Sequence, residues 1–338
     1  MKSILCLLAS LLLGTCVTLA SEPGVFDRTL SASGSVELDV RSNLGGIVIT
    51  VGSAKSVRVH AVIKPIYGEY DLGLAEANIR SLERNPPIEQ VGNRIRIGYV
   101  RDPALLRGIT MRLEIETPRT SRAHAYTESG GIRIDGIDGP VETVTSSGRT
   151  EINNVAENIR AAGHSGAMVI RGAGGQVSLR NRSGGIQVLG VHDAIDTETT
   201  SGRTEISSGE GGIRAKSSSG GISIDNAKGP VVASNTSGRI DALQLEGPVH
   251  AETTSGAIRI SQTRPAQIRA LAGSGAITVE LASRGGYTID AQSDSGRVSG
   301  PVKGNPTAGP ERHRLQAQVG AGGPLVDLDT HSSRIDVR

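Results

Sequence analysis

The chain has 338 residues, of which 45 are Gly, five are Tyr, one is Phe and none is Trp. So few aromatic residues are atypical of an α/β enzyme of this size, a hydrophobic content of 37% excludes a disordered chain, and the spacing of Gly excludes collagen. A net charge of +2 over this length predicts no nucleic-acid-binding surface, and the composition favours a glycine-rich repeat protein.

The chain begins with a segment typical of a secretory signal peptide, which we assign to residues 1–20. Lys2 supplies the positive start, residues 4–13 are almost all apolar, and Thr18-Leu19-Ala20 forms a small-residue cleavage site. The apolar stretch is too short for a membrane span, so we expect no transmembrane segment after cleavage. The sequence therefore predicts export to the periplasm, the cell envelope or the extracellular medium.

Both cysteines of the chain, Cys6 and Cys16, lie within this segment. We therefore expect the mature chain to have no disulfide, no cysteine metal ligand and no cysteine nucleophile. Leu13-Gly14-Thr15-Cys16 resembles a bacterial lipoprotein cleavage box, but Thr15 stands where Gly or Ala is usual. The sequence therefore does not favour a lipid anchor at Cys16.

Residues 21–120 form an amino-terminal region in which apolar and polar residues alternate, as is typical of β-strands. The alternating segments are residues 36–40, 47–51, 57–62, 94–99 and 111–116. One helix is predicted near residues 72–84, with Asp71 as its N-cap and Asn85-Pro86-Pro87 as its end. Because bare sheet edges recruit other chains, we expect this helix to cover one end of a sheet that continues into the following residues.

Ser-Gly pairs recur every 18 residues through the middle of the chain and mark an internal repeat. The spacing then widens to 19 residues at Ser274 and to 21 residues at Ser295. We expect each pair to form a corner where Gly permits a tight bend and the Ser side chains stack as a structural ladder. The pairs in strict register are Ser129 and Gly130, Ser147 and Gly148, Ser165 and Gly166, Ser183 and Gly184, Ser201 and Gly202, Ser219 and Gly220, Ser237 and Gly238, and Ser255 and Gly256.

Apolar residues recur at the fourth and sixth positions of the repeat, as at Ile132 and Ile134, which is the alternation of a β-strand. One 18-residue unit cannot bury its own apolar face, but stacked units bury it continuously. We therefore predict an all-β fold. Residues 121–338 would form a single-stranded, right-handed parallel β-helix, or β-solenoid, with about 18 residues per coil.

Some of the strictly spaced repeats carry Arg at the third position, and these are Arg149, Arg203 and Arg239. Their side chains point out of the strand, so they are candidates for an outward stripe that binds a partner. The alternative is a solvated face on which acidic residues at the fifth position, such as Glu151 and Glu205, balance the charge.

At the carboxyl end, residues 325–329 and 332–337 restore the strand pattern after a loop rich in Pro and Gly at residues 300–312. Ser333 replaces Gly in the last corner motif. Because the chain ends there, we expect the last coil to be an exposed edge.

No pattern in the repeat predicts a catalytic, cofactor-binding or metal-binding residue. The seven His residues do not share one position of the repeat, and no His-x-x-x-His pair occurs. Gly163-His164-Ser165-Gly166 lacks the form of a serine-hydrolase elbow, and residues 130–135 depart from a calcium-binding β-roll. We therefore expect no enzyme activity, no cofactor and no nucleic-acid partner.

The order of these features resembles a known family. The alternating region leads to Met111-Arg112-Leu113-Glu114-Ile115-Glu116-Thr117-Pro118 and then to Ser-Gly-Gly-Ile-x-Ile and Gly-Pro-Val-x-x-x-Thr-x-Ser-Gly-Arg units. Over roughly residues 30–338 the chain is similar to the bacterial putative-adhesin family of β-strand-repeat proteins, a domain family of unknown function. The resemblance implies a β-helix in an exported or envelope-associated bacterial protein, and it carries no catalytic residue.

Three hypotheses about function remain. The one we favour is a non-enzymatic solenoid of the cell envelope that acts as an adhesin or structural protein with a partner at the envelope or cell surface. The second is a self-assembling scaffold like the bactofilin-type β-helix polymers, which needs uncovered ends. The third is a carbohydrate-active β-helix enzyme, which needs clustered carboxylates and aromatic platforms that the repeat lacks.

Overall fold

The computed structural model describes residues 22–68, 71–301, 307–309 and 312–338. The predicted signal peptide at residues 1–20, which includes Cys6 and Cys16, lies outside the described residues. Among the described residues, no helix is long and apolar enough to cross a membrane.

The chain is all-β apart from one α-helix and one short 3-10 helix in its described part, as the sequence predicts. The amino-terminal elements are β1 (Gly24–Ser31), β2 (Glu37–Leu44), β3 (Ile47–Val51), β4 (Ser56–Pro65), α1 (Leu72–Arg84), β5 (Ile88–Val91), β6 (Arg94–Ile97), η1 (Pro103–Leu106) and β7 (Ile109–Thr117). The first half of the repeat contains β8 (Arg122–Ser129), β9 (Ile132–Asp135), β10 (Val141–Ser147), β11 (Thr150–Val155), β12 (Ile159–Ser165), β13 (Met168–Ala173), β14 (Val177–Ser183), β15 (Ile186–Val191) and β16 (Ile195–Ser201).

The second half of the repeat contains β17 (Thr204–Gly209), β18 (Ile213–Ser219), β19 (Ile222–Asp225), β20 (Val231–Ser237), β21 (Ile240–Leu245), β22 (Val249–Ser255), β23 (Ile258–Gln262), β24 (Ile268–Ser274) and β25 (Ile277–Glu280). The carboxyl-terminal strands are β26 (Tyr287–Ser293), β27 (Val298–Ser299), β28 (Thr307–Gly309), β29 (Arg312–Val319), β30 (Leu325–Thr330) and β31 (Ile335–Val337).

These strands form two long sheets with one continuous apolar core. In the repeat, sheet A takes the strands from β9 to β25 with odd numbers, and sheet B takes the strands from β8 to β24 with even numbers. Neighbouring strands there are parallel: Val141 pairs with Ile159 and Ser147 pairs with Ser165, so partners lie eighteen positions apart. The predicted parallel repeat architecture is thereby confirmed.

Gly148 shows why each corner of the repeat needs glycine. Its φ is +135°, and a Cβ at this position would overlap the carbonyl oxygen of Gly130 in the preceding coil. Its amide donates a hydrogen bond of 3.1 Å to the carbonyl oxygen of Ser165 in the following coil. The corner backbones of successive coils therefore stack in direct contact.

At the amino-terminal end, β2 and β3 form a coil ahead of the repeat, because β2 pairs with β8 and β3 pairs with β9 in parallel. Sheet A continues through β7, β4 and β1, and β4 is antiparallel to both of its neighbours. Helix α1 packs on these strands with Ala75, Ile79 and Leu82 buried. Asp71 caps the helix by accepting a 2.8 Å hydrogen bond from the Gly73 amide, as predicted.

The carboxyl-terminal coil of β30 and β31 lies inside the stack, so the prediction of an exposed last edge is wrong. β30 pairs in parallel with β24 on one side and with β26 on the other, and β31 lies between β25 and β27. The chain enters the space between β24 and β26 at a point where two glycine-rich loops are in contact. Thr288 donates its amide hydrogen to the carbonyl oxygen of Pro324, and a Cβ at Gly286 would overlap the carbonyl oxygen of Gly322.

Candidate functional site

The predicted Ser ladder lies at the ends of the sheet B strands, where Ser147 is the register partner of both Ser129 and Ser165. None of the eight corner hydroxyls hydrogen bonds to a described residue. The corner is held by the backbone instead, since the Gly130 amide donates a 2.9 Å hydrogen bond to the Ser147 carbonyl oxygen. These Ser residues therefore act through their carbonyl groups and offer a column of free hydroxyls to solvent.

A column of buried polar side chains, which we did not predict from the sequence, lies inside the same corner. Asn181 donates a hydrogen bond of 2.8 Å from Nδ2 to the Gly166 carbonyl oxygen, and Asn235 donates one of 2.6 Å to the Gly220 carbonyl oxygen. Both side chains are less than a tenth exposed. The signal in the sequence is a small polar residue two positions before the corner Ser, as in Asn235 before Ser237.

Arg149, Arg203 and Arg239 lie in one column at the corner, and all three side chains are exposed. Arg149 and Arg203 are three coils apart, which is about 14 Å at the usual spacing of strands, and Arg203 and Arg239 are two coils apart. Arg203 lies 3.6 Å from Glu205 in its own coil. These three guanidinium groups are therefore separated along the stack and do not form a continuous basic stripe.

Charges of alternating sign form a ladder along the loops that join sheet A to sheet B. Glu210 lies 2.8 Å from both His192 and Lys228, and Glu246 lies 3.3 Å from Arg264. Hydrogen bonds from Lys228 and then from His192 lower the pKa of Glu210 to about 2. Because each charge has a partner of opposite sign on a neighbouring coil, this ladder ties coils together and is not a free binding surface.

A cluster of Arg41, Arg96, Tyr99 and Tyr126 lies on the outer surface of sheet B at its amino-terminal end, and we call it the arginine–tyrosine face. Cζ of Arg41 lies 4.7 Å from the ring centre of Tyr99 and 5.5 Å from that of Tyr126. Cζ of Arg96 lies 3.8 Å from the ring centre of Tyr99. Such contacts are cation–π interactions, which fix the rings and the guanidinium groups relative to one another.

Strand pairing and one glycine bring this face together. Arg41 on β2 is the register partner of Tyr126 on β8, and Ile97 on β6 is the partner of Val40. Gly98 then turns the chain with a φ of +81°, and a Cβ there would overlap the Arg41 carbonyl oxygen. The close approach of the two backbones places Tyr99 beside Arg41.

Asp39 and His124 lie at the edge of the face. His124 Nδ1 lies 3.0 Å from Asp39 Oδ1, and both side chains are about one-third exposed. Burial alone would raise the pKa of Asp39, but hydrogen bonds from Tyr99 and His124 outweigh it and hold the pKa below its usual value. Burial and the Asp39 carboxylate raise the pKa of Tyr99, so the phenol stays protonated and continues to donate to Asp39.

A groove of about 390 Å³ begins beside the face and crosses the starts of β8, β10, β12 and β14; we call it the axial groove. Its rim has two rows, which are Arg122, Pro140, Asn158 and Gln176 in the first and His124, Glu142, Arg160 and Ser178 in the second. Members of the second row are register partners on successive strands. The groove therefore runs along the stack of coils rather than along a strand.

The chemistry of this region suits binding. His124 pairs with Asp39 as in a catalytic triad, but Ser178, the hydroxyl residue on the groove rim, lies three coils away, at about 14 Å. In the part of the chain that the structure describes, no group of three His, Asp or Glu side chains is placed to hold a metal ion. Cation–π contacts and charged groups around a groove are features found in ligand-binding sites.

Comparison with known proteins adds information at the carboxyl end of the solenoid. Residues 230–338 match the sequence family described as Toastrack DUF4097. This Toastrack segment begins at β20 and includes the inserted carboxyl-terminal coil, and the resemblance that the repeat predicts is confirmed there. The arginine–tyrosine face and the axial groove lie outside the Toastrack segment. No curated protein matches the chain significantly.

Three crystal structures are similar over most of their length. A "putative cell adhesion protein" from Clostridium sporogenes is 9% identical, covers 94% of this chain and 99% of its own, and has a TM-score of 0.23. "Putative adhesins" from Parabacteroides distasonis and Bacteroides fragilis are 13% and 12% identical, cover 76% and 93% of this chain and 97% of their own, and have TM-scores of 0.32 and 0.26. At these TM-scores the similarity supports no functional argument.

Proposed function

We propose that this protein is an exported, non-enzymatic β-solenoid of the bacterial cell envelope that acts as an adhesin or interaction protein. The arginine–tyrosine face is its contact surface, and the observation that carries the proposal is the stack of Arg41 and Arg96 on Tyr99 beside an open groove. Export rests on the signal sequence at residues 1–20. We also propose that the solenoid is right-handed and that each regular coil contains 18 residues.

Binding surfaces on proteins are enriched in Tyr and Arg, because these side chains combine a large contact area with directed hydrogen bonds. The face gathers two of the six aromatic residues of the chain at one place. Cation–π contacts hold the side chains in position before a partner arrives, which lowers the entropy lost on binding.

A self-assembling scaffold is less well supported, because the edge of sheet A at β1 is partly occupied. Glu83 of α1 accepts a 2.8 Å hydrogen bond from the Val25 amide, and the Arg28 guanidinium donates one of 2.8 Å to the Asp27 carbonyl oxygen. Side chains that hydrogen bond to the backbone groups of the edge strand in this way hinder the addition of another strand. The opposite sheet ends in β5, a strand of four residues.

The test is quantitative binding of the purified mature chain to isolated envelope fractions. Replacing both contact residues, as in R41A/Y126A, should weaken binding by about tenfold or more, as expected for two central interface residues. R269A is the control, because Arg269 also lies on the outer surface of sheet B and pairs with Asp327 at 3.7 Å. Equal binding by the double variant and the unmodified protein would contradict the proposal, and so would saturable turnover of an envelope glycan.

A further inference from the structure

The axial groove carries four charged side chains, two of each sign, and none of them has an ionic partner in the described part of the chain. They are Arg122, Glu142, Glu157 and Arg160. Among the described residues, no group of opposite charge lies within 4 Å of any of these four. Elsewhere among the described residues, some charges on neighbouring strands pair, as Arg180 and Glu198 do at 3.6 Å, and others, such as the register partners Asp196 and Arg214, do not.

Glu142 and Arg160 are direct register partners on β10 and β12, but their charged groups do not form an ion pair. The same arrangement at Arg269 and Asp327, on β24 and β30, gives an ion pair of 3.7 Å. Glu142 and Arg160, which lie on adjacent strands and are unpaired, are therefore both free to interact with charges on a ligand.

We propose that the axial groove binds an extended zwitterionic peptide, one that carries both carboxylate and ammonium groups, along the axis of the solenoid. This assignment rests on the proposed function and names the class of partner. A polyanion would meet Glu142 and Glu157, and a polycation would meet Arg122 and Arg160, so only a ligand with both signs satisfies the groove. The peptide's carboxylates lie against the guanidinium groups and its ammonium group against Glu142.

The uncharged rim residues fit a peptide backbone. The Asn158 Oδ1 atom already accepts a 2.9 Å hydrogen bond from the Gln176 amide, which fixes the side chain and leaves its NH₂ group free to donate. The amide of the Gln176 side chain can both donate and accept. Among the described residues, no Phe, Tyr or Trp side chain lines this groove, so a neutral sugar chain lacks the usual surface on which to stack.

The test uses the full mature chain and three heptapeptides blocked at both ends. The first alternates Glu and Lys with Ala between them, and the others replace every Lys with Glu or every Glu with Lys. Titration followed by NMR at low ionic strength should show saturable binding of the mixed peptide, with shifts confined to residues 122–124, 140–142, 157–160 and 176–178. Binding should weaken as salt shortens the Debye length from about 30 Å at 0.01 M to about 8 Å at 0.15 M.

Two double variants separate groove chemistry from general surface charge. E142A/R160A should weaken binding of the mixed peptide about threefold to fivefold, as expected for exposed charge contacts. The matched control R269A/D327A removes a register-paired Arg and Asp elsewhere on the same sheet and should leave binding unchanged.

The proposal is overturned if the all-Glu or the all-Lys peptide binds the groove at least as tightly as the mixed peptide, or if no peptide binds saturably. Failure of the proposed function looks different. In that case R41A/Y126A and the unmodified protein bind envelope fractions equally, whatever the peptide titration shows.

Discussion

Asn235 donates a 2.6 Å hydrogen bond from Nδ2 to the carbonyl oxygen of Gly220, fifteen residues earlier and one coil away. The Asn235 side chain is buried, and the Gly220 backbone is bent so tightly that its φ is +130°. The bond therefore satisfies the Gly220 carbonyl oxygen, which the bend points toward the protein interior. A polar residue of the repeat therefore contributes directly to the stability of the stacked coils.

Replacing Asn235 with Ala should lower the free energy of unfolding by about 1–3 kcal/mol, because the Gly220 carbonyl loses its donor in a buried place. Urea denaturation measures the change. N235T should recover part of the loss, since Thr253 at the equivalent position of the next coil donates to Gly238. S237A is the control: the exposed corner hydroxyl makes no bond to a described residue, and its loss should change stability by less than about 0.5 kcal/mol. A larger effect of S237A than of N235A would show that the outer Ser ladder holds the corner.

Two neighbouring glycines should respond differently to the same substitution. A Cβ at Gly220 would overlap the Gly202 carbonyl oxygen and its φ is in the left-handed region, whereas a Cβ at Gly221 would lie 3.8 Å from the Arg239 carbonyl oxygen. G220A should therefore destabilise the protein by about 3–5 kcal/mol through overlap and backbone strain. G221A should change stability by less than about 1 kcal/mol. Thermal unfolding compares the two, and equal melting temperatures would contradict the account of the corner.

The charge ladder makes a prediction about pH. Lys228 and His192 hold the pKa of Glu210 at about 2, below its ordinary value of 4.5. The carboxylate stays ionised in the folded protein where the unfolded chain would be protonated. Its contribution to stability is thus fully present above pH 4.5 and is lost as the pH falls through about 2.

K228A should raise the pKa of Glu210 toward its ordinary value, because the variant removes the strongest of its hydrogen bonds. NMR titration of the side-chain carboxyl carbon measures this pKa directly. R264A is the control, since Arg264 pairs with Glu246 one step along the ladder. An unchanged pKa in K228A, or an equal rise in R264A, would contradict the assignment.

The inserted carboxyl-terminal coil should be visible in amide hydrogen exchange. Strand β30 has a parallel neighbour on each side, so alternate amides of residues 326–330 bond to β24 and to β26. We expect consecutive amides in this segment to exchange slowly. Among the described strands, β5 is an edge that pairs only with β6, and it should show alternating slow and fast exchange. Alternation in residues 326–330 would mean that the last coil is an edge in solution.

The repeat could be predicted from the sequence because its information is local and periodic. Ile132 and Ile134 lie at inward positions of one strand, and the units that follow repeat the same spacing through Ser255. The insertion of β30 could not be predicted from the sequence. It depends on two loops, near Gly286 and Gly322, that are distant in the sequence but in contact in the structure. A periodic sequence pattern predicts which strands pair only where successive coils stack in the order of the chain.

The candidate site was also missed for a physical reason. Arg41, Tyr99 and Tyr126 come from three separated segments, and the pairing of β2 with both β6 and β8 brings them together. No spacing in the sequence links these residues. The column of buried polar side chains, in contrast, is visible in the sequence, because Thr, Ser or Asn stands two positions before seven of the eight corner Ser residues, with Gly163 as the exception.

The central claim is that the arginine–tyrosine face and the adjoining groove contact the partner. Hydrogen–deuterium exchange of the mature chain, with and without isolated envelope fractions, tests it most directly. We predict slower exchange in residues 37–44, 94–101 and 122–128, with no change in the Toastrack segment. Protection confined to residues 230–338, or no protection at saturating amounts of the envelope fraction, would contradict the account.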